Sequence, residues 1–451
     1  MRKKHLFIGG LLLFLGNTGC ALHTSNDALQ LQAPLGREHK TFKPPNNTTD
    51  IPSSLQKSEN PSGDLTLPQA LSLGLLQSPA LKAFSWEIRS AEARALQAGL
   101  LPNPQIETSL ENFKGDKEQK GFRSAETTFQ ISQLLELGGK RSKRSHLADV
   151  EKNLAEWEYE SMRLDVFTEI TNAFWDVFAA QERLTIATEL SRLSEETYLT
   201  VVERVKAGKV PSVEEIQAKV SLTTTKIAFE KTKRELETFR KKLAATWGNT
   251  SPAFEKAAGV IDTIAPIPSP EKLDGLICQN PDVARWDAEV EKALAGVKLK
   301  DAGAIPDVTI GAGPRYFNET DNTAFVMSLS MPIPVFNRNQ GEKREARYAL
   351  AKAEEEQRAA LLKAQTELGQ AYQELSSAFM SASSLKDTAL PAADSAFTAS
   401  LEGYREGKFN YLIVLDSQRT LFEVKEQYIR SLAEYHKARA NIERLIAQNL
   451  Q

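Results

Sequence analysis

The sequence predicts an α+β membrane protein made of two copies of one unit, each a strand pair followed by a long helical hairpin. Three observations predict it: a pattern that returns after roughly 200 residues, stretches of about ten residues that alternate apolar and polar side chains, and helical runs much longer than a globular core needs. The chain has 451 residues, 25% of them charged and 41% hydrophobic, which is enough for two or three domains. Its net charge of −3 gives no basic excess for nucleic acid.

The N-terminus reads as an export signal. Arg2, Lys3 and Lys4 precede LFIGGLLLFLG, an apolar run too short to span a bilayer comfortably. It ends in Asn17-Thr18-Gly19-Cys20-Ala21. This stretch resembles a bacterial lipoprotein processing site, with Asn17 where an aliphatic residue is usual, and the resemblance implies a lipoprotein-type signal over residues 1–20 in which Cys20 is lipidated and becomes the new N-terminus. The only other cysteine is Cys278, so no structural intrachain disulfide is expected in the mature chain. Residues 21–64, rich in Pro, Ser, Thr and Asn, are expected to be an extended tether.

The repeat is clearest in a basic stretch. GGKRSKRSHLADVE from Gly138 returns as GEKREARYALAKAE from Gly341, matching Lys140, Arg141 and Arg144 with Lys343, Arg344 and Arg347. Pro79, Phe84 and Glu87 likewise match Pro281, Trp286 and Glu289, and Leu222, Lys226 and Arg240 match Leu421, Lys425 and Arg439. A motif that occurs twice is poor evidence for a private phosphate or nucleic-acid site, and Gly138, Gly139 and Lys140 lack the spacing of a phosphate loop. The expected boundaries are 65–260 for repeat 1 and 261–451 for repeat 2.

Each repeat opens with a helical segment interrupted near Pro79 or Pro281, then turns at Pro102-Asn103-Pro104 or Ile305-Pro306. Strand pairs are expected within 105–134 and 307–331. Their alternation (Ile106, Thr108 and Leu110; Phe129 and Ile131), with Phe113, Phe122, Tyr316 and Phe317 near the ends, fits barrel strands with lipid outside and water inside. Helical hairpins follow over 140–248 and 341–449. From Lys140 to Lys206 there is no proline or glycine, a helix of roughly 100 Å at ~1.5 Å per residue. Pro391 predicts a kink in the matching helix, and Gly208 and Gly407 supply the tight tips.

Four strands cannot close a membrane barrel, which needs at least ~8. Open edges are not tolerated in lipid, so copies must pool their strands. Three copies give about twelve, enough for a water-filled lumen.

In this layout, and in LPNPQIETSLENF, LLELGGKR, MPIPVFNRNQGEKR and YREGKFNYLIVLDSQRTLFE, the chain resembles outer-membrane efflux proteins of the TolC type, most closely the CzcC/CusC-like heavy-metal branch. The resemblance implies a homotrimer whose twelve-stranded outer-membrane β-barrel continues as a long periplasmic α-helical barrel. It also implies a periplasmic adaptor (membrane fusion) protein and an inner-membrane RND-type pump as partners, with outer-membrane lipid around the barrel. The implied role is a passive exit duct for divalent metal cations, with no enzyme activity and no cofactor. Multidrug or solvent efflux and type I secretion belong to the same fold, and a periplasmic coiled-coil scaffold is the reading from another class.

By the same resemblance, Gly208, Lys209, Val210, Gly407, Lys408 and Phe409 would meet the adaptor. Asp416 stands where the family places one of its cation-binding pore aspartates, and Ile413 replaces another. Tyr404 and Arg405 would tie neighbouring hairpins shut. Lys140, Arg141, Arg144, Lys343, Arg344 and Arg347 are read as a collar at the membrane interface. His23, His39, His146 and His436 have no metal-site spacing, Met327 and Met331 alone make no metal relay, and no catalytic constellation stands out.

Overall fold

A computed structural model describes residues 35–46 and 60–450. In chain order the elements are β1 (Gly63–Thr66), α1 (Leu67–Gln77), α2 (Pro79–Ala98), β2 (Gln105–Glu111), β3 (Glu126–Leu135), α3 (Lys140–Lys206), α4 (Ser212–Ala245), β4 (Phe254–Ala258), α5 (Pro270–Asp274), α6 (Pro281–Ala302), β5 (Val308–Phe317), β6 (Asn322–Ser330), α7 (Gln340–Ser384), α8 (Leu390–Arg405) and α9 (Tyr411–Ile446). Among the described residues no helix is long and apolar enough to cross a membrane.

The four long strands form one antiparallel sheet in the order β2-β3-β5-β6. β3 pairs with β5 from Glu126↔Phe317 to Leu135↔Val308, which joins the two repeats in the middle of the sheet. β2 and β6 are left as its edges. On the helical side β2, β5 and β6 are bounded by proline and β3 by Gly138-Gly139, and each strand is bounded by a turn on the other.

α3 is the mast of the helical body, running unbroken for 67 residues. It packs against α2 and α6 near the sheet and against α4 and α9 further along. The largest core cluster gathers Ile170, Phe174 and Val177 of α3 with Leu75, Leu243, Trp247 and Leu432. A second cluster joins Leu368 and Leu375 of α7 to Tyr435, Ile442 and Ile446 of α9.

The helix that mirrors α3 is broken where proline predicts, one turn early. Residues Leu385–Ala389 form wider π-helical turns between α7 and α8, just ahead of Pro391. Pro391 has no N–H to give to the preceding turn, and the extra residue in the π-turn takes up the misfit.

Three expectations change. Residues 35–46, inside the predicted tether, lie on the body: Leu35 is buried, its N–H donates to the Ala447 carbonyl at 3.0 Å, and its carbonyl accepts from Arg163. Gly36 has φ +72°, and a Cβ there would strike the Phe167 ring, so glycine is required for this approach. β1 extends the body further, pairing in parallel with β4, a contact that neither segment's residue pattern announces. Cys278 is disulfide-bonded, against the expectation of none; Cys20, the lipidation candidate and the only other cysteine, lies outside the described residues.

Candidate functional site

The sheet has two chemically different faces. Ile106, Leu110, Phe129, Ile131, Ile310, Phe325, Met327 and Leu329 are exposed. Register places Ile106 opposite Ile131 and Ile310 opposite Leu329, so these apolar side chains share one face. The other face is polar: Arg315 of β5 reaches Glu126 at 3.1 Å and Glu111 at 3.6 Å, and its Nε donates to the Thr128 hydroxyl at 2.9 Å. On that face the Gln130 amide donates to the Ser328 hydroxyl, crossing β5 over Gly311, where a Cβ would collide with both side chains. A wall of this kind suits hydrocarbon on one side and water on the other.

Where strand gives way to helix, the collar residues divide. Lys140 pairs with Asp307 at 2.7 Å, across the two repeats. Arg144 pairs with Glu136 at 2.6 Å and donates to the carbonyls of Ala98 and Leu100, capping the end of α2. Lys343 and Arg347 both lie near Asp301, at 3.7 and 3.9 Å. Of the six, only Arg141 and Arg344 are exposed without an ion pair among the described residues. Four of the six cations are therefore spent on fixing the strand-to-helix bend. The bend itself uses left-handed Gly138 (φ +68°) and Gly139 (φ +70°) in repeat 1. In repeat 2 it uses Asn339 (φ +59°), which the sequence pattern does not single out. The Asn339 amide donates to the Lys300 carbonyl at 2.8 Å, and asparagine is among the few residues that tolerate this conformation.

The two tips are built alike. Gly208 (φ +67°) donates to the Val205 carbonyl and Lys209 to that of Arg204; Gly407 (φ +77°) donates to Tyr404 and Lys408 to Gly403. This paired crossing of hydrogen bonds ends a helix and reverses the chain, and it needs the left-handed residue that glycine supplies. Lys209, Lys408 and Phe409 are exposed and Val210 half-buried, with Lys408 paired to Glu406 at 2.5 Å.

The tips are also joined, by a residue that the sequence did not single out. Arg204, at the end of α3, donates to the Tyr404 carbonyl at 2.6 Å and lies over the Tyr404 ring at 4.3 Å. Tyr404 is only 2% exposed, packed with Val201, Ala218, Tyr411 and Val414, and its hydroxyl meets Glu214 at 3.4 Å. Burial, and then the nearby Glu214 carboxylate, push the Tyr404 hydroxyl pKa up. Tyr404 thus fastens two hairpins of one chain and offers little surface to another chain. Arg405 is exposed beside it.

Asp416 lies on the exposed side of α9, less than two turns from the tip, with Ile413 exposed before it and Arg419 after it. Arg419 pairs with Glu423 at 2.7 Å, which leaves the Asp416 carboxylate facing outward. Among the described residues no cluster of His, Cys, Asp or Glu is arranged to hold a metal ion.

A two-faced strand wall continued by a helical mast, with a tied tip at the far end, defines an outer-membrane channel subunit. The outer membrane efflux protein family matches residues 70–249 and 273–448, one stretch in each repeat, and the chain belongs to that family. It is 34% identical over 387 residues to the cobalt-zinc-cadmium resistance protein CzcC of Cupriavidus metallidurans, covering 86% of this chain and 91% of that protein. It is 27% identical over 273 residues to the nickel and cobalt resistance protein CnrC of the same species, covering 60% and 64%. In fold it is similar to a crystal structure of CusC (TM-score 0.72, 18% identity, covering 86% of this chain and 93% of that one). It is equally similar to the outer membrane protein VceC of Vibrio cholerae (TM-score 0.71, 17% identity, covering 85% and 97%).

Proposed function

We propose that three copies of this chain form the outer-membrane duct of a tripartite efflux system, passing divalent metal cations delivered by an inner-membrane RND-type pump through a periplasmic adaptor. The observation that carries the assembly is the sheet. It has an apolar face, a polar face and two open edges, β2 and β6, and unpaired edges in lipid must be closed by neighbouring copies. Three copies bring about twelve strands, which leave a lumen. The cargo is inferred from the metal resistance named for CzcC and CnrC. The chain supplies a path and no energy source. Cys20 would carry the lipid anchor on its sulfur, which excludes a disulfide from Cys20 to Cys278 in the lipidated chain, and labelling with radioactive palmitate decides between the two.

A deletion strain should become sensitive to zinc, cobalt or cadmium while tolerating dyes as before, and the purified protein should conduct in planar bilayers. Dye sensitivity without metal sensitivity would overturn the cargo; absence of conductance would overturn the channel. Asp416 is assigned to a cation-binding ring in the lumen, so Asp416→Ala should weaken divalent-cation block of the single-channel current severalfold, and unchanged block would remove it. The tips at Gly208, Lys209 and Val210 and at Gly407, Lys408 and Phe409 are assigned to the adaptor. Gly407→Arg, which strains the left-handed turn, should return metal tolerance to the deletion level with trimers still recovered by cross-linking; intact tolerance would count against the assignment.

A further inference from the structure

The segment between β6 and α7, Met331-Pro332-Ile333-Pro334-Val335-Phe336-Asn337-Arg338-Asn339, combines an ordered backbone with apolar side chains left exposed among the described residues. The order is local. The Val335 N–H donates to the Ile333 carbonyl at 2.9 Å, the Arg338 guanidinium reaches back to the Pro334 carbonyl at 3.3 Å, and Asn339 donates to the Asn337 side chain at 2.9 Å. Two prolines fix φ on either side of Ile333 and lower the cost of holding this shape. Held this way, Phe336 is 92% exposed and Ile333 78%, with Val335 and Met331 exposed beside them. Exposure of that degree in four large apolar side chains within six residues is unusual for a surface meeting only water.

The patch continues a surface already described. Phe325, Met327 and Leu329 point from the apolar face of β6, and Met331 keeps the same alternation at the strand's end. The corresponding place in repeat 1 is Glu136-Leu137-Gly138-Gly139, with two glycines and no aromatic residue. Leu100, Leu101 and Ile305, which enter the strands at the same end of the sheet, are exposed as well. Arg338, Arg344 and Arg141 stand on the helical side of this apolar band, where phosphate headgroups would lie if the band is immersed.

We propose that Ile333, Val335 and Phe336 form a wedge, one per protomer, that inserts into the inner leaflet of the outer membrane and sets the depth of the barrel. The proposal rests on the barrel reading above and commits to bilayer lipid as the occupant. The test uses the full chain in phosphatidylcholine vesicles with and without bromine on the acyl chains. Phe336→Trp places an emitter on the wedge and Met327→Trp one on the strand face, each read against the unsubstituted protein, whose Trp86, Trp157, Trp175, Trp247 and Trp286 all lie in the helical body. Both added emissions should fall by half or more in brominated lipid. Quenching at 327 with none at 336 would overturn the wedge and leave the barrel standing, with a neighbouring copy as the cover for the patch. Quenching at neither position would overturn both.

Discussion

The return helices α4 and α9 occupy the same place in their repeats and have opposite surroundings. α9 packs against α3, α7 and α8 and buries residues along its whole length, from Tyr411 to Ile446. α4 packs chiefly on α3, meets α8 and α9 at the tip through Ala218 and Glu214, and buries only Ala218, Thr225, Leu243 and Ala244. Its Val213, Ile216, Val220 and Ile227 are exposed and fall within one narrow stripe at helical spacing. The duplication supplied one pattern twice, and the chain used it once as an interior helix and once as an open flank. An apolar stripe on a flank is unfinished surface, and in a closed ring of copies it is where the next protomer fits.

The largest expected effect tests that flank. Ile216→Asp combined with Ile227→Asp puts two charges where burial of each isoleucine is worth about 1.5–3 kcal/mol per interface. Trimers should be lost or sharply reduced in detergent, as measured by light scattering after size exclusion. Persistent trimers would mean that the barrel strands alone hold the ring and that α4 faces something else.

Much of this contrast lay beyond the sequence, for a physical reason. Long helices, tips and strands are local matters: absence of proline and glycine drew α3, left-handed glycines drew both tips, and alternation drew β2, β3, β5 and β6 within a residue or two at most ends. What packs on what is not local. α4 and α9 read as equivalent because amphipathic spacing does not say how many neighbours a face will meet. The β1–β4 pair is too short to show alternation, and Leu35 is buried only because Gly36 lets it approach Phe167. At the tips the left-handed glycines Gly208 and Gly407 were legible, and the family resemblance pointed to Asp416, which is exposed, whereas Arg204 looked like one more surface cation. Its only sequence signal is a mismatch between repeats, since repeat 2 has Gly403 where repeat 1 has Arg204.

That mismatch gives the next prediction. Arg204 binds tip one to tip two, and its counterpart in repeat 2 makes no matching bond, because Gly403 has no side chain and one there would meet the Phe409 ring. Arg204→Ala removes a charged hydrogen bond and a cation–ring contact, together worth about 1–3 kcal/mol at this half-buried position. With the hairpins untied, single-channel conductance should rise severalfold or the open fraction increase, without loss of trimer. Unchanged conductance would make the contact a packing detail and no latch.

The smallest effect concerns a position where the two return helices differ in burial. Glu237 of α4 is solvent-facing and paired with Arg240 at 2.9 Å; its counterpart in α9 is His436, buried, stacked on Trp175 at 4.0 Å and hydrogen-bonded to the Ile261 carbonyl at 2.8 Å. Burial lowers the His436 pKa below the ordinary 6.5, opposed by the Ile261 bond and reinforced by Arg439. The unfolded chain then binds more protons than the folded one between the lowered value and 6.5, so stability falls as pH drops below about 6.5 and is unaffected by this group above it. The limit is about 1.4 kcal/mol per pH unit for one proton. His436→Gln keeps a donor for Ile261 and removes the titration. Its unfolding midpoint in denaturant should therefore change less between pH 6.5 and 5 than that of the unsubstituted protein. Equal changes would show that the acid sensitivity of the helical body arises elsewhere, and that the burial separating α9 from α4 carries no protonation cost at this residue.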